Sequence, residues 1–162
     1  MLLLVHHGEA VDAAVDSQRP LSLRGRWIAE ALAAECAARG VRPSGVWHSG
    51  KLRARQTAEL FWVACNPLAE FSAARGLQPT DPPAVVADLV AADPRHLVIV
   101  GHMPHLQRLL RLLVAGDADA PVAFPSHGVV ALEPTGTLRW RECWRLETAD
   151  VEPSGAESGE RR

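Results

Sequence analysis

The sequence predicts an α/β fold of three layers, α/β/α, around a mostly parallel sheet that carries antiparallel C-terminal strands. Three observations predict it. Short apolar runs at Leu2–Val5, Val46–His48 and Leu97–Val100 alternate with amphipathic stretches long enough for helices, the pattern of strand–helix–strand units. Each run gives way to a polar loop containing Gly, Ser or Pro. Two final runs, Val129–Leu132 and Leu138–Trp144, flank Pro134-Thr135-Gly136 and read as a hairpin at one side of the sheet.

Leu2–Val5 is continuously apolar and so reads as a buried strand, ending in His6-His7-Gly8-Glu9. A loop follows to Pro20, which disfavours helix in the residue before it. Ser22 can then cap a helix running to about Arg39, with Trp27, Ile28, Ala31 and Leu32 on one face and Gly40 as its stop. After the strand Val46–His48, Ser49-Gly50 leads into a helix from Lys51 to about Cys65. Asn66-Pro67 ends it, and one short strand is expected around Phe71. Asp81-Pro82-Pro83 opens a helix over Ala84–Ala92 with Val85, Val86, Leu89 and Val90 inward. Leu97–Val100 stops at Gly101-His102, and Met103-Pro104 starts a helix through about Ala115 with Leu106, Leu109, Leu110 and Leu113 inward. His96 and His105 read as surface residues.

The expected organisation is one domain over residues 1–148. A tail over 149–162, rich in Glu, Ser, Gly, Pro and Arg, holds too little apolar surface to offset the entropy of ordering it. The 162 residues are 48% hydrophobic and 22% charged with a net charge of −2, which argues against a general nucleic-acid or anionic-membrane binder. Any anion site must be local. Cys36, Cys65 and Cys143 are odd in number and not in metal or redox spacing, so they read as reduced core filler. No run approaches the roughly 18 apolar residues of a membrane span and no signal peptide is evident, so a cytoplasmic protein is expected.

If the three apolar strands are parallel, the loops after them leave the same edge of the sheet, where open α/β folds bind ligands. His7, Arg53 and His102 can then converge. Lys51, Arg53 and Arg55 crowd the first turn of a helix whose dipole already disfavours cations, so an anion there would be welcome. The alternative is a solvated face with Arg55 and its neighbours bridged to residues such as Glu59. Ser126-His127-Gly128 is a weaker addition to the rim.

These residues carry a pattern. The chain resembles the histidine phosphatase superfamily, of phosphoglycerate-mutase-like fold, and within it the short bacterial phosphohistidine phosphatases, over about Met1–Glu147. Leu4-Val5-His6-His7-Gly8-Glu9 resembles the family's strand ending in Arg-His-Gly-Glu. Ser49–Thr57 resembles Ser-Pro-x-x-Arg-Ala-x-Gln-Thr, and Gly101-His102-Met103-Pro104 resembles Gly-His-x-Pro. Arg19-Pro20-Leu21-Ser22 is similar to the short branch's Arg-Pro-Leu-Thr.

The resemblance implies His7 as nucleophile, with Arg53 and His102 stabilising the transferred phosphoryl group. His6, Gly8, Arg19, Ser49 and His127 are candidate phosphate contacts. It implies covalent catalysis through a phosphohistidine, with no metal and no cofactor. The implied partner is a phosphorylated protein, a phosphotransfer domain, or a small phosphate ester. Longer members supply an acid from an inserted segment that this chain lacks, which favours a good leaving group such as imidazole. Glu9 and Asp16 are candidate acids.

Two departures stand out. The family's first arginine is His6, and the proline after Ser49 is Gly50. The first removes a permanent cation with forked donors. A protonated His6 would recover part of the loss, so activity is expected to rise as pH falls and in a His6→Arg variant. The alternative is a degenerate module that binds phosphate or phosphohistidine without turnover. A metal site on His6, His7 and His102 is disfavoured, because adjacent strand residues face opposite sides and no carboxylate or thiol stands at ligand spacing. A mutase is disfavoured because the chain has little material for a sugar-phosphate lid.

Overall fold

A computed structural model describes residues 1–136 and 138–153. The elements run β1 Leu2–His6, α1 Leu23–Ala38, β2 Gly45–His48, α2 Leu52–Cys65, β3 Glu70–Ala73, α3 Pro83–Ala92, β4 Leu97–Gly101, α4 His105–Ala115, β5 Val129–Pro134 and β6 Trp140–Leu146. Among the described residues the strands form one sheet in the order β3-β2-β4-β1-β5-β6. The pairs β1–β4, β4–β2 and β2–β3 are parallel, whereas β5 runs antiparallel to β1 and β6 antiparallel to β5.

Both central strands are apolar on both sides because both sides are covered. Leu3 and Val5 face a core with Ile28 and Leu32 of α1 and Ala54 and Phe61 of α2. Leu2 and Leu4, one residue out of phase, face Val86 and Val90 of α3 and Leu106, Leu109 and Leu110 of α4. A strand's period of two assigns alternate residues to the two layers, which is why β1 and β4 read as unbroken apolar runs. Ser22 caps α1 as expected, its hydroxyl accepting the Gly25 N–H at 3.0 Å, and α4 stops at Gly116, whose φ of 75° suits glycine.

Several side chains sit otherwise than the sequence predicts. The buried stripe of α1 is Gly25, Ile28, Ala29, Leu32, Ala33 and Cys36, so Trp27 falls on its flank and is 46% exposed. Val85 and Leu89 flank the Pro83–Val86–Val90 stripe of α3 and are likewise exposed. His105 is fully buried instead of at the surface, because it lies one turn before Leu109 on the inner stripe of α4. Cys36 and Cys65 are buried, but Cys143 lies on the edge strand β6 and is exposed. Order also continues past residue 148: Thr148–Asp150 forms a 3-10 turn, Val151 packs on the first core, and Glu152 pairs with Arg24. The remainder of the expected tail, residues 154–162, lies outside the described residues. Among the described residues no helix is long and apolar enough to cross a membrane.

Candidate active site

Parallel pairing brings three loops to one edge. His6 is in register with Gly101 and His48 with Val100, so the residues that follow, His7, Ser49 and His102, leave the sheet side by side. Backbone bonds tie the loops together: the His7 N–H donates to the Gly101 carbonyl at 3.2 Å, and the His6 N–H to the Gly128 carbonyl at 3.0 Å. The ring centroids of His6, His102 and His127 lie 4.7, 4.9 and 5.8 Å from that of His7. Residues up to 121 positions apart in the chain therefore share one pocket.

The hydrogen bonds fix which ring nitrogens carry protons. A carbonyl oxygen can only accept, so His7 Nδ1, 2.7 Å from the Gly8 carbonyl, is the protonated nitrogen. Neutral His7 then presents a lone pair on Nε2. Arg53 Nε donates to that lone pair at 3.3 Å. By the same reasoning His127 Nδ1–H donates to the His7 carbonyl at 2.6 Å. His6 is the reverse case: its Nδ1 accepts the His127 backbone N–H at 2.8 Å, so the proton of neutral His6 is on Nε2. His127 stacks on His6 at 4.5 Å and 11°. His102 Nε2 lies 2.6 Å from Ser49 Oγ, while its buried Nδ1 has no partner among the described residues.

Burial and crowding keep three of these imidazoles uncharged. Burial is the largest cause in each case. It takes His6 down to about 2 with help from the charges of its histidine neighbours. His102 falls to about 3, with His7 and Arg53 adding to burial. His7 falls to about 4, the Gly8 bond opposing and Arg53 reinforcing the shift. His6 is thus neutral at ordinary pH before an anion binds, which argues against the expected gain from protonating it, and it offers a neutral N–H where the resemblance implies a guanidinium. Arg53 is the cation at the centre of the group, itself lowered by burial and by Arg19.

The remaining expected positions divide. Gly8 N–H donates to Thr57 Oγ1 at 3.0 Å, and a Cβ on Gly8 would stand 2.8 Å from the Gly25 carbonyl oxygen, so the loop can only pass α1 at this distance with glycine. Arg19 takes a left-handed φ of 50° and its Nε donates to the Val11 carbonyl. Glu9 accepts from Ser22 Oγ at 2.8 Å and pairs with Arg24 at 3.0 Å, and these contacts hold its carboxyl below the usual range. A carboxylate held ionised is a poor proton donor. Asp16 is exposed and its carboxylate accepts the Gln18 N–H within its own loop. Arg55 pairs with Glu59 at the surface, leaving Arg53 as the guanidinium turned to His7.

A different histidine trio from the expected one gathers closely. One ring nitrogen each of His6, His7 and His127 lie within 4.8 Å of one another, because His7 is beyond the end of β1 and strand alternation does not separate it from His6. The donor set suits a metal poorly. His6 Nδ1 already accepts a hydrogen bond and its Nε2 carries the proton, and the Arg53 guanidinium against His7 repels a cation.

Three further residues position the site. Thr57 Oγ1 accepts from Gly8 N–H while donating to the Arg53 carbonyl at 2.8 Å, joining the first loop to α2. Gln56 Oε1 accepts the Leu21 N–H, and Gln78 Nε2 donates to the Ser49 carbonyl, both at 2.8 Å. Gln56 and Thr57 lie inside the motif already noted, which is the signal for them. Gln78 has none.

No protein-family model and no curated protein sequence matches the chain. Among solved structures it is similar to the protein histidine phosphatase SixA complexed with tungstate, with a TM-score of 0.83 at 22% identity over 93% of this chain and 99% of that one. It is similar to the SixA-type protein of Agrobacterium tumefaciens (TM-score 0.75, 27% identity, 90% and 96% covered). The SixA-type protein of Nakamurella multipartitia gives 0.68 at 21% identity, with 90% and 94% covered.

Proposed function

From the premise that this chain has the phosphoglycerate-mutase-like fold of the histidine phosphatases, we propose that it is a phosphatase that forms a covalent phosphohistidine on His7. The observation that carries the reading is the proton placement on His7. Nδ1–H is committed to the Gly8 carbonyl, which leaves the Nε2 lone pair facing a guanidinium. That is a nucleophile beside a site for an anion.

An incoming phosphoryl group takes Arg53 from His7 onto its oxygens, where the guanidinium is worth more than against a neutral ring. His6 Nε2–H donates to a second oxygen. His102, whose ring partner among the described residues is the rotatable Ser49 hydroxyl, turns to a third. His7 Nε2 attacks phosphorus, the leaving group departs, and water then attacks phosphorus to release phosphate and restore His7. That the similar SixA structure is complexed with tungstate, a tetrahedral oxyanion, supports a phosphoryl group as the ligand. The SixA resemblance also favours protein phosphohistidine on a phosphotransfer domain as substrate, ahead of a small phosphate ester. No step calls for a metal, so turnover should survive chelation.

The test is transfer of radiolabelled phosphate. Phosphohistidine peptide should label His7 in an acid-labile, base-stable form, and His7→Ala should take no label. A specific observation favours a second reading, a binder without turnover: His6 is neutral where an arginine is expected. Tight vanadate binding with neither label nor hydrolysis would establish that second reading and overturn the first.

A further inference from the structure

We infer that His127 is the general acid and base of this site, and that its presence extends the substrate class to phosphate monoesters with unactivated alcohol leaving groups. The inference rests on the phosphatase reading above and deepens it. Alcohols are poor leaving groups unless protonated as they depart, and a positioned acid supplies typically about 100- to 10,000-fold. Neither candidate carboxylate can serve: Glu9 is held ionised by Ser22 and Arg24, and Asp16 is exposed and bonded within its own turn.

Four imidazoles line the pocket, and three are occupied otherwise. His7 attacks, while His6 and His102 are buried donors. His127 is only half-buried and so is open to solvent. Its anchoring is what a proton carrier needs. Nδ1–H donates to the His7 carbonyl at 2.6 Å, the backbone N–H donates to His6 Nδ1 at 2.8 Å, and the ring lies on that of His6. Because Nδ1 keeps its proton whether the ring is charged or neutral, Nε2 can release a proton and regain it without the ring losing its place. The backbone pays for this with a left-handed φ of 50° at a residue other than glycine, a strain that persists where surrounding contacts enforce it. The His127 ring centroid lies 5.8 Å from that of His7, close enough for a phosphoryl group on His7 to come within its reach.

The cycle balances. As the His7 Nε2–phosphorus bond forms and the phosphorus–oxygen bond of the ester breaks, the leaving alkoxide takes the Nε2 proton of His127 and departs as an alcohol. Neutral His127 Nε2 then takes a proton from water as the water oxygen bonds to phosphorus and the phosphorus–nitrogen bond breaks. Phosphate leaves, His7 returns to its lone-pair form, and His127 is protonated again.

The experiment compares kcat/KM of the wild-type protein, His127→Asn and His127→Ala on three probes: ethyl phosphate, para-nitrophenyl phosphate and a phosphohistidine peptide. Asn retains an N–H donor for the His7 carbonyl but cannot carry a proton. Both variants should lose about 100-fold or more on ethyl phosphate, with much smaller losses on para-nitrophenyl phosphate, whose phenolate leaves as the anion, and on the phosphohistidine peptide, whose imidazole takes its proton from solvent before it leaves. Equal losses on all three would reduce His127 to a positioning residue and overturn the inference while the phosphatase reading stands. So would an unchanged rate on ethyl phosphate, or a wild-type protein that hydrolyses the other two probes but not this one. A wild-type protein inactive on all three overturns the phosphatase reading, and the inference with it.

Discussion

His6 shows how one side chain sets the electrostatics of a site. It is buried and neutral, its Nδ1 consumed by the His127 N–H, so it contributes a single uncharged donor. Restoring a guanidinium with His6→Arg should raise kcat/KM by about 10- to 100-fold. That is less than the roughly 100- to 1,000-fold that a preorganised donor can be worth, because the variant loses the acceptor for the His127 N–H. Steady-state hydrolysis of para-nitrophenyl phosphate measures it, and an unchanged or lower rate would show that the pocket is built around the histidine. Thr57 is the corresponding case for positioning. Thr57→Val leaves the Gly8 N–H without its acceptor and should cost about 1–3 kcal/mol in urea unfolding. A loss well below that would mean water reaches the amide.

Among elements, α1 and the loop after β1 are fitted to each other through two glycines. A Cβ on Gly25 would stand 2.1 Å from the Glu9 carbonyl oxygen, a backbone atom with little freedom to yield. Alanine in a helix interior gains about 1 kcal/mol of propensity over glycine, yet here the clash dominates. Gly25→Ala should destabilise the protein by about 1–3 kcal/mol and lower activity by moving Gly8 and His7. A variant as stable as the wild type in chemical denaturation would sink this account. Ser22→Ala removes both the cap on α1 and a contact to Glu9 and should cost about 1 kcal/mol in the same assay.

For the whole molecule the consequence is a dependence of stability on acid. His6, His7 and His102 have folded pKa values of about 2, 4 and 3, all below the 6.5 they start from, and burial lowers His105 as well. The unfolded chain therefore binds more protons than the folded one between about pH 6.5 and the folded values. These groups contribute their full stability above about pH 6.5. Each loses about 1.4 kcal/mol per pH unit as the pH falls through that window. Thermal melts at about pH 7.5 and 5.5 should show a clear drop in Tm, and replacing His105 with a leucine should reduce it. A Tm that stays level across this range would mean that the buried rings take up protons in the folded protein over the same range as in the unfolded chain.

The sequence by itself determined the layered α/β fold, because the period of two in the strands and the caps and stops of the helices are local properties of the chain. Leu2–Val5, Ser22 and Leu97–Val100 carried that information in adjacent residues. The sequence also placed His7, Ser49, Arg53 and His102 after strands that share one direction, and the parallel register brings them together. Tertiary structure decided what depends on partners far along the chain. Periodicity tells which face of a helix turns inward but not how wide the cover is, so Trp27 and Leu89 emerged at the surface while His105 was buried. The proton on each imidazole is set by whichever group stands 3 Å away or less, and for His6 that group is 121 residues distant. Two adjacent histidines, alike in sequence, thereby became an uncharged donor and a lone pair facing Arg53.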